Sequence, residues 1–419
     1  MKKILFSLLA IAMAISLWSI SLQECLQNLR QTTPLKGNIA NIEGQMKLKD
    51  KSLTAGYYPS LSVVGDLGYN SEVTSLNTGS VLPISLPEPD KDRVSLGLEV
   101  KQMMWDSGVT KLMKQMNNLE SQAKTWEVSA ALDNREMEAV NLYYSVISLT
   151  EALAITELQT GSLNSRLEQV KSAYQNGIRE ASDVQLVSYD LLSNSDRVNS
   201  LQKSKQAALD KLARLCGMEL SSDVELSIPD LLLPETEEFN RAELSRLETL
   251  IALQQTNARL AKRKNYPQVY ARAMAGLGKP GYNMFSTDLH DYYSIGLSLS
   301  WKIWDFGQGL QESRIAMNEA AIMEANKANL LLSLQNELSG LDAELESVDN
   351  SIASSRQKVE LLEKIVQAYE DKYSSGIITT TELLIQTNNL LSAKLELQSS
   401  VTKLSALQAK KLLLLGGKI

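Results

Sequence analysis

The sequence has few of the residues on which catalytic, metal-binding and disulfide-rich proteins depend. Its 419 residues include one histidine, two cysteines and 5% aromatic residues. One histidine, and two cysteines that form no CxxC pair, supply neither a zinc ligand set nor a framework of several disulfides. An excess of basic residues is also missing, because the formal net charge is −7, and this argues against nucleic acid as a partner. We therefore expect neither an enzyme nor a cofactor-binding protein.

Long apolar runs are missing as well, except at the N-terminus. Two lysines precede an apolar stretch from Ile4 to Trp18, and this pattern predicts a signal peptide at residues 1–21. No later run is long enough for a membrane-spanning helix, so an exported chain of this kind can enter a membrane only as β-strands. Glu24, which precedes Cys25, is unsuited to lipoprotein processing, and we expect this cysteine to lie in a helix.

The second half of the sequence repeats motifs of the first half at a constant spacing. A Trp-Asp-x-Gly motif at 105–108 returns at 304–307, and Gly177, in a Tyr-x-x-Gly-Ile motif, returns as Gly376. Both offsets are 199 residues (304 − 105 and 376 − 177). A constant offset predicts two structural repeats with no net insertion between them.

The two predicted repeats share one order of elements: a helix, two strands, a very long helix, a sharp tip and a returning helix. We place them at residues 22–218 and 238–419, with a linker at 219–237. The elements predicted in the first repeat are helix 36–56, strands 60–70 and 93–105, helix 109–173, tip 174–182 and helix 182–216. Those in the second are helix 238–264, strands 268–278 and 291–304, helix 308–372, tip 373–380 and helix 380–415. At ~1.5 Å per residue the longest helices extend ~100 Å, which an ordinary globule does not accommodate.

The four predicted strands alternate apolar and polar residues. This pattern is typical of membrane-barrel strands, and also of a soluble sandwich with one buried face. Four strands cannot close a barrel in lipid, so the membrane interpretation requires an oligomer, and three copies would supply a twelve-stranded wall. Glu99, Lys101 and Lys302 lie on the polar faces. They line the lumen if the strands form a barrel, and are ordinary surface residues otherwise.

These features together resemble the TolC-like outer-membrane efflux proteins of Gram-negative bacteria, also called outer membrane factors. The resemblance covers essentially the whole mature chain. The residues that carry it are Ser21-Leu22-Gln23-Glu24-Cys25-Leu26, Tyr58-Pro59-Ser60-Leu61-Ser62-Val63, Trp304-Asp305-Phe306-Gly307 and the two tip motifs, each followed by an acidic residue. It implies an internally duplicated, mixed fold, in which long antiparallel helices form a coiled-coil barrel in the periplasm. Each chain adds four strands to a trimeric, 12-stranded β-barrel in the outer membrane.

The resemblance also implies a function and a set of partners. The chain would be the passive exit duct of a tripartite efflux system, in contact with outer-membrane lipid and a periplasmic adaptor (membrane fusion) protein. An inner-membrane transporter of the RND, ABC or MFS type would supply the energy. One alternative within this fold is the outer-membrane component of type I protein secretion. An alternative from a different class is a soluble periplasmic coiled-coil scaffold, which requires the apolar strand faces to be buried within protein.

The resemblance places a gated periplasmic entrance at the two tips. Carried over to this sequence, the gate comprises Ser182, Asp183, Tyr373 and Glu382, and the helix tips that meet the adaptor comprise Gly177, Ile178, Gly376 and Ile377. The residues themselves leave two interpretations of each acidic side chain open. Three copies of Glu382 would form an acidic ring that favours cations, but an acidic residue in a first helical turn also stabilises the helix start.

One residue departs from the family pattern at the second tip. Ile378 stands where some efflux channels have an arginine, so Asp183 lacks the expected partner. Either Lys372 or Arg179 takes its place, or apolar packing holds the entrance closed.

Overall fold

The described part of the chain contains seven helices and four strands. The computed structural model describes residues 19–73, 88, 90–231, 233–234, 237–283 and 286–419, so that nearly all of the predicted signal peptide at 1–21 lies outside the described residues. The elements of the first repeat are α1 (Leu22–Thr32), α2 (Leu35–Ala55), β1 (Ser60–Tyr69), β2 (Asp92–Trp105), α3 (Val109–Gln175) and α4 (Ala181–Cys216). Those of the second are α5 (Ala242–Arg263), β3 (Gln268–Lys279), β4 (His290–Ser300), α6 (Gln308–Ser374) and α7 (Thr380–Leu414). This combination of long helices with a four-stranded sheet confirms the predicted fold class.

Two element ends differ from the prediction by several residues. Strand β4 ends at Ser300 rather than 304. The Ile303 N–H donates to the carbonyl of Trp301 (3.1 Å) and so takes part in a local turn. Lys302 therefore follows the strand instead of lying in it. Helix α5 begins at Ala242 rather than 238, because the chain before it runs beside the end of α7, where the Asn240 N–H donates to the carbonyl of Leu415 (2.9 Å).

The strands belong to one of two compact units, which comprises residues 40–125 and 246–327. They form a single antiparallel sheet in the order β1-β2-β3-β4. The central pair joins the two repeats, since β2 comes from the first and β3 from the second, with Leu98 opposite Ala275. Neither repeat therefore completes the sheet by itself.

One face of this sheet is apolar and exposed. The register aligns Val63 with Leu98, and Ala273 with Ile295, because side chains two residues apart point to the same face. The exposed fraction of the side chain reaches 83% at Ile295 and 71% at Val63. An antiparallel sheet in a water-soluble protein normally packs its apolar face against the protein core. In the described part of the chain, no other segment covers this face. The soluble-scaffold alternative requires the apolar strand faces to be buried within protein, and the structure does not show such burial.

Both edges of the sheet are long. Strand β1 has 10 residues and β4 has 11, and each pairs with one neighbour within the described part of the chain. Long unpaired edges expose rows of backbone N–H and C=O groups, which natural proteins cover or pair.

The second compact unit comprises residues 1–39, 126–245 and 328–419. Its largest apolar cluster joins α1 to α3, α4 and α7 and includes Leu22, Leu26, Val140, Tyr143, Leu212 and Leu413. The Tyr143 hydroxyl lies 2.8 Å from the carbonyl oxygen of Ile20 and 2.6 Å from that of Ser227. A buried phenol normally needs such a partner. These contacts fix the chain that enters α1 and part of the linker between the repeats against α3.

The Trp-Asp-x-Gly motifs start the two longest helices in the same way. The Asp106 carboxylate accepts from the N–H groups of Gly108 (2.9 Å) and Thr110 (2.6 Å). Asp305 accepts from Gly307 (2.9 Å) and Gly309 (2.7 Å). Such caps satisfy N–H groups that a helix leaves without partners at its start. The duplicated motif is therefore a duplicated helix cap.

Helix α3 is the one helix in the described residues with an 18-residue window apolar enough to cross a membrane by length and composition. This is weak evidence, because the core helix of a soluble protein has the same property. Five side chains of α3 are buried in the cluster with α1, those of Ala139, Val140, Tyr143, Tyr144 and Ile147.

Candidate functional site

Each helical hairpin ends in the same turn. The Ile178 N–H donates to the carbonyl of Ala173 (2.9 Å), and the Ile377 N–H donates to that of Lys372 (2.9 Å). Gly177 and Gly376 both have a φ of 73°, a backbone conformation that side chains with a Cβ rarely adopt. Together these are the features of a helix end closed by a left-handed glycine. Both hairpins therefore turn sharply at these two glycines.

Asp183 and Glu382 both serve as helix-capping residues. The Glu180 N–H donates to Oδ2 of Asp183 (3.2 Å), and the Thr379 N–H donates to Oε2 of Glu382 (2.7 Å). The Glu382 N–H in turn donates to the Thr379 hydroxyl (3.2 Å). The bonds from the Thr379 N–H and hydroxyl to the Glu382 carboxylate hold the pKa of Glu382 below its usual range. Both carboxylates thus fix the start of a returning helix, which is the second of the two interpretations left open by the sequence.

Arg179, at the first tip, reaches across to the second tip. Its guanidinium donates to the carbonyl of Tyr373 (3.2 Å) and, at 3.5 Å, to that of Ile378. The same guanidinium lies 4.2 Å from the centre of the Tyr373 ring, within the range of a cation–π interaction. Lys372 instead lies 5.7 Å from the ring centre of Tyr369. Of the two cations considered from the sequence, Arg179 is the one that joins the tips.

Further contacts join the same two hairpins along the helices behind the tips. The Arg166 guanidinium, on α3, lies 3.0 Å from the Glu370 carboxylate on α6. A small apolar cluster packs beside it, with Val170, Val187 and Leu384 buried and Tyr373 at its margin. Tyr373 therefore lies between apolar side chains, two arginines and the Thr380 hydroxyl, which is 3.2 Å from its own.

The remaining predicted tip residues are exposed. Ile178 and Ile377 are 73% and 71% exposed, and both tip glycines are exposed as well. The Ser182 hydroxyl donates to the Glu180 carboxylate (3.2 Å). The two hairpins thus each end in a largely exposed isoleucine.

The polar face of the sheet carries opposite charges in contact. The Glu99 carboxylate lies 2.7 Å from the Arg272 guanidinium, between adjacent strands. The Lys101 ammonium lies 4.6 Å from the ring centre of Tyr270. Glu99 and Lys101 are therefore on the face where the alternation places them, whereas Lys302 follows the end of β4.

Sequence reasoning did not identify Arg166, Glu370 or Arg272. Arg179 was considered only as a partner for Asp183, and the structure pairs it with backbone carbonyls and a ring. The only signal for these contacts was the presence of isolated charges near a tip or in a strand. Among the residues that the structure describes, no group of three or more His, Cys, Asp or Glu side chains is arranged to hold a metal ion.

Comparison with known proteins adds a family and a fold. Residues 233–410 match the model of the family "Outer membrane efflux protein". A search of curated proteins gives no match. The structure resembles the outer membrane protein VceC of Vibrio cholerae, with a TM-score of 0.73 and 17% identity over 94% of this chain and 96% of that one. It also resembles CusC, with a TM-score of 0.75 and 13% identity over 96% of this chain and 93% of that one.

A third solved structure is the open state of the MtrE outer membrane channel of Neisseria gonorrhoeae. Its TM-score is 0.71, with 14% identity over 95% of this chain and 89% of that one. At such identities the similarity establishes the fold, while the family match in the second repeat establishes the relationship. By that match the second repeat carries the outer membrane efflux protein domain, and over its whole length the chain has the fold of the TolC-like outer-membrane channels.

Proposed function

We propose that the protein is a homotrimeric channel that serves as the exit duct of a tripartite efflux system. It would receive substrates from an inner-membrane transporter through a periplasmic adaptor and conduct them passively across the outer membrane. The observation that carries the proposal is the four-stranded sheet, which is apolar and exposed on one face and, among the residues that the structure describes, unpaired at both edges. No soluble monomer would be expected to keep such a sheet in water.

The sheet edges support a closed oligomer. In hydrocarbon, every backbone N–H and C=O group needs a partner, so that an open edge is not tolerated. Strand β4 of one copy can pair with β1 of the next, and three copies of a four-stranded sheet give twelve strands. Barrels wider than about eight strands leave a lumen. The exposed apolar face would then contact lipid, and Glu99, Lys101 and Arg272 would line the lumen.

Lys302 was expected in the barrel lumen, but it lies beyond the end of β4. Because it follows the last residue of β4, it would lie at the periplasmic rim of the barrel instead of within its wall. A positive ring at that rim would favour anionic over cationic solutes.

The two tips are proposed as the periplasmic entrance. In a trimer, the bonds between Arg179 and the second tip would hold neighbouring hairpins of one chain together in the closed state. Tyr373 contributes the ring and carbonyl that Arg179 contacts, and Asp183 and Glu382 fix the first turns of α4 and α7. Ser182 supports Glu180 at the first tip. We therefore propose a gate built on the contact between Arg179 and Tyr373, since Ile378 stands where some efflux channels have an arginine.

The exposed isoleucines are proposed as the contact with the adaptor. Ile178 and Ile377 follow the left-handed glycines Gly177 and Gly376, which set the turn and present both side chains outward. Two equivalent apolar projections per chain would give six in a trimer. Six similar sites suit a ring of adaptor molecules that binds both repeats alike.

The lipid-facing strand assignment can be tested with two neighbouring positions. Leu297 is 76% exposed on the apolar face, and Ser298, the next residue, lies on the opposite face. In a background with both native cysteines replaced by alanine, Leu297→Cys should react with a lipid-soluble maleimide in outer-membrane vesicles. The matched Ser298→Cys should react only with a water-soluble one. Equal reaction of both positions with both reagents would contradict a barrel wall at this point.

The channel itself is tested by conductance. Detergent-purified protein should migrate as a heat-sensitive trimer in mild gels and should form ion-conducting pores in planar bilayers. Stable monomers without detergent would refute the trimeric barrel. Co-purification of an adaptor with wild-type protein, and its loss in an Ile178→Asp/Ile377→Asp variant that still forms trimers, would separate the efflux role from the channel fold.

A further inference from the structure

The two cysteines of the chain are far apart in sequence and adjacent in the structure. Cys25 is the fourth residue of α1, and Cys216 is the last residue of α4. Both residues are 0% exposed and belong to one apolar cluster, in which α1 packs against the end of α4. The neighbouring Cys216 thiol and burial raise the pKa of Cys25. The sequence contains no other cysteine. The fold has thus brought together the only pair of thiols from which an internal crosslink can form.

The contacts around the pair hold both helices in place. Arg30, near the end of α1, forms a two-pronged ion pair with Glu136 on α3 (2.6 and 2.8 Å). The Thr32 hydroxyl lies 3.3 Å from the carbonyl oxygen of Cys216 itself. At the other end of α1, the Ile20 N–H donates to the carbonyl of Glu225 (3.0 Å). With α1 fixed at both ends, the two cysteines are held close to each other in the apolar cluster. A disulfide between them would bring the sulfur atoms to about 2.05 Å.

The compartment favours oxidation. The sequence predicts export through a signal peptide, and disulfides form and persist in the periplasm. Two thiols alone are too few for a structural metal site, which takes four ligands. No further His, Cys, Asp or Glu joins the pair within the described part of the chain.

We propose that the mature protein contains a disulfide between Cys25 and Cys216. The bond would crosslink the N-terminal helix to the end of the first repeat, next to the linker that leads into the second repeat. This proposal concerns the covalent structure of the exported chain, and it does not depend on the transport role proposed above.

The reaction is a thiol–disulfide exchange with an oxidised periplasmic dithiol oxidoreductase. The thiolate of one cysteine attacks the oxidoreductase disulfide, whose S–S bond breaks to give a mixed disulfide and one oxidoreductase thiolate. The thiolate of the second cysteine then attacks the substrate sulfur of the mixed disulfide and releases the other oxidoreductase thiolate. The chain loses two electrons and two protons, and the oxidoreductase takes up both. Because both thiols are buried in the folded chain, the exchange takes place during export and folding.

The test uses the full chain, expressed with its own leader in a Gram-negative host and extracted in detergent with free thiols alkylated at lysis. Denatured protein should take up no maleimide–polyethylene glycol before reduction and two adducts after reduction. A non-reduced digest should contain one crosslinked peptide pair, two hydrogens lighter than its separate halves. Cys25→Ser and Cys216→Ser should each leave one thiol that reacts without reduction.

Three results would overturn the proposal. Full alkylation of both thiols in unreduced wild-type protein would show that the pair stays reduced. A crosslink between two chains would show that the cysteines pair between molecules, and a diacylglyceryl group on Cys25 would show that it is a lipid anchor. All three are read on the wild-type protein, so a folding defect of the serine variants would not obscure the outcome.

Discussion

Arg179→Ala should open the proposed periplasmic entrance. In the structure, Arg179 provides two polar contacts and one ring contact between the tips of the two repeats. If these contacts hold the closed state, removal of the guanidinium lowers the free energy needed to separate the tips. Alanine keeps the helix start intact, because the capping bonds of Asp183 and Glu382 involve other groups.

The size of the effect follows from the individual contacts. A hydrogen bond from a charged donor contributes up to ~1.5–3 kcal/mol, but Arg179 is only half-buried, and one of its two bonds, at 3.5 Å, is weak. A cation–π contact at an exposed site adds ~0.5–1 kcal/mol. A total of ~2 kcal/mol per chain corresponds to a ~30-fold change in the ratio of open to closed tips.

The assay is single-channel conductance in planar bilayers, together with uptake of a large antibiotic that wild-type cells exclude. The Arg179→Ala channel should spend a roughly 30-fold larger fraction of time in the high-conductance state than the wild-type channel, up to the point where that fraction approaches one. Lys171→Ala is the matched control, because Lys171 is an exposed cation two turns before the same tip. An Arg179→Ala trimer with wild-type conductance and wild-type exclusion would refute the arginine–tyrosine gate, whatever the remaining gate residues do.

Three other predictions concern the fold, the tip and the barrel wall. The Gly416→Ala trimer should dissociate at a clearly lower temperature than the Gly376→Ala trimer. A Cβ at Gly416 would overlap the Asn240 backbone, whereas a Cβ at Gly376 would meet nothing within 4 Å. Equal losses of stability in the two variants would contradict this reason. The lowered pKa of Glu382 means that its ion stabilises the start of α7 above the ordinary glutamate range, and this support is lost as the pH falls through the lowered value. Glu382→Gln should remove that acid-dependent step in hydrogen exchange of the tip, and an unchanged step would assign it to another group. Ile295→Lys, in the exposed apolar face, should cost ~2–4 kcal/mol of barrel stability near the middle of the bilayer, measured by urea unfolding in lipid, whereas a loss near zero would place this face outside the membrane.

The exposed apolar face of the sheet decides between the two classes of protein that the sequence left open. Alternation in β2 and β4 alone fits a barrel wall or one face of a sandwich. The structure adds the register, which aligns apolar residues of all four strands on one face, and the exposure, which leaves that face uncovered. Exposure depends on what the rest of the chain covers, and no local pattern contains that information.

The two cysteines show the same limit of local sequence patterns. Cys25 and Cys216 look unrelated in the sequence, and neither lies in a spaced motif. Only the packing of α1 against the end of α4 brings the thiols into contact. If the bond forms, the N-terminal helix becomes a covalent part of the first repeat.

By itself, the sequence determined the duplication, the elements of each repeat, the helix caps and the glycine turns. Each of these depends on interactions between residues close together in the chain, such as those of Asp106 with Gly108 or of Ile178 with Ala173. The tertiary structure decided that β2 pairs with β3 across the repeats and that Arg179 contacts Tyr373. Those outcomes depend on the positions of side chains about 190 residues apart, which are fixed only when long helices pack against one another.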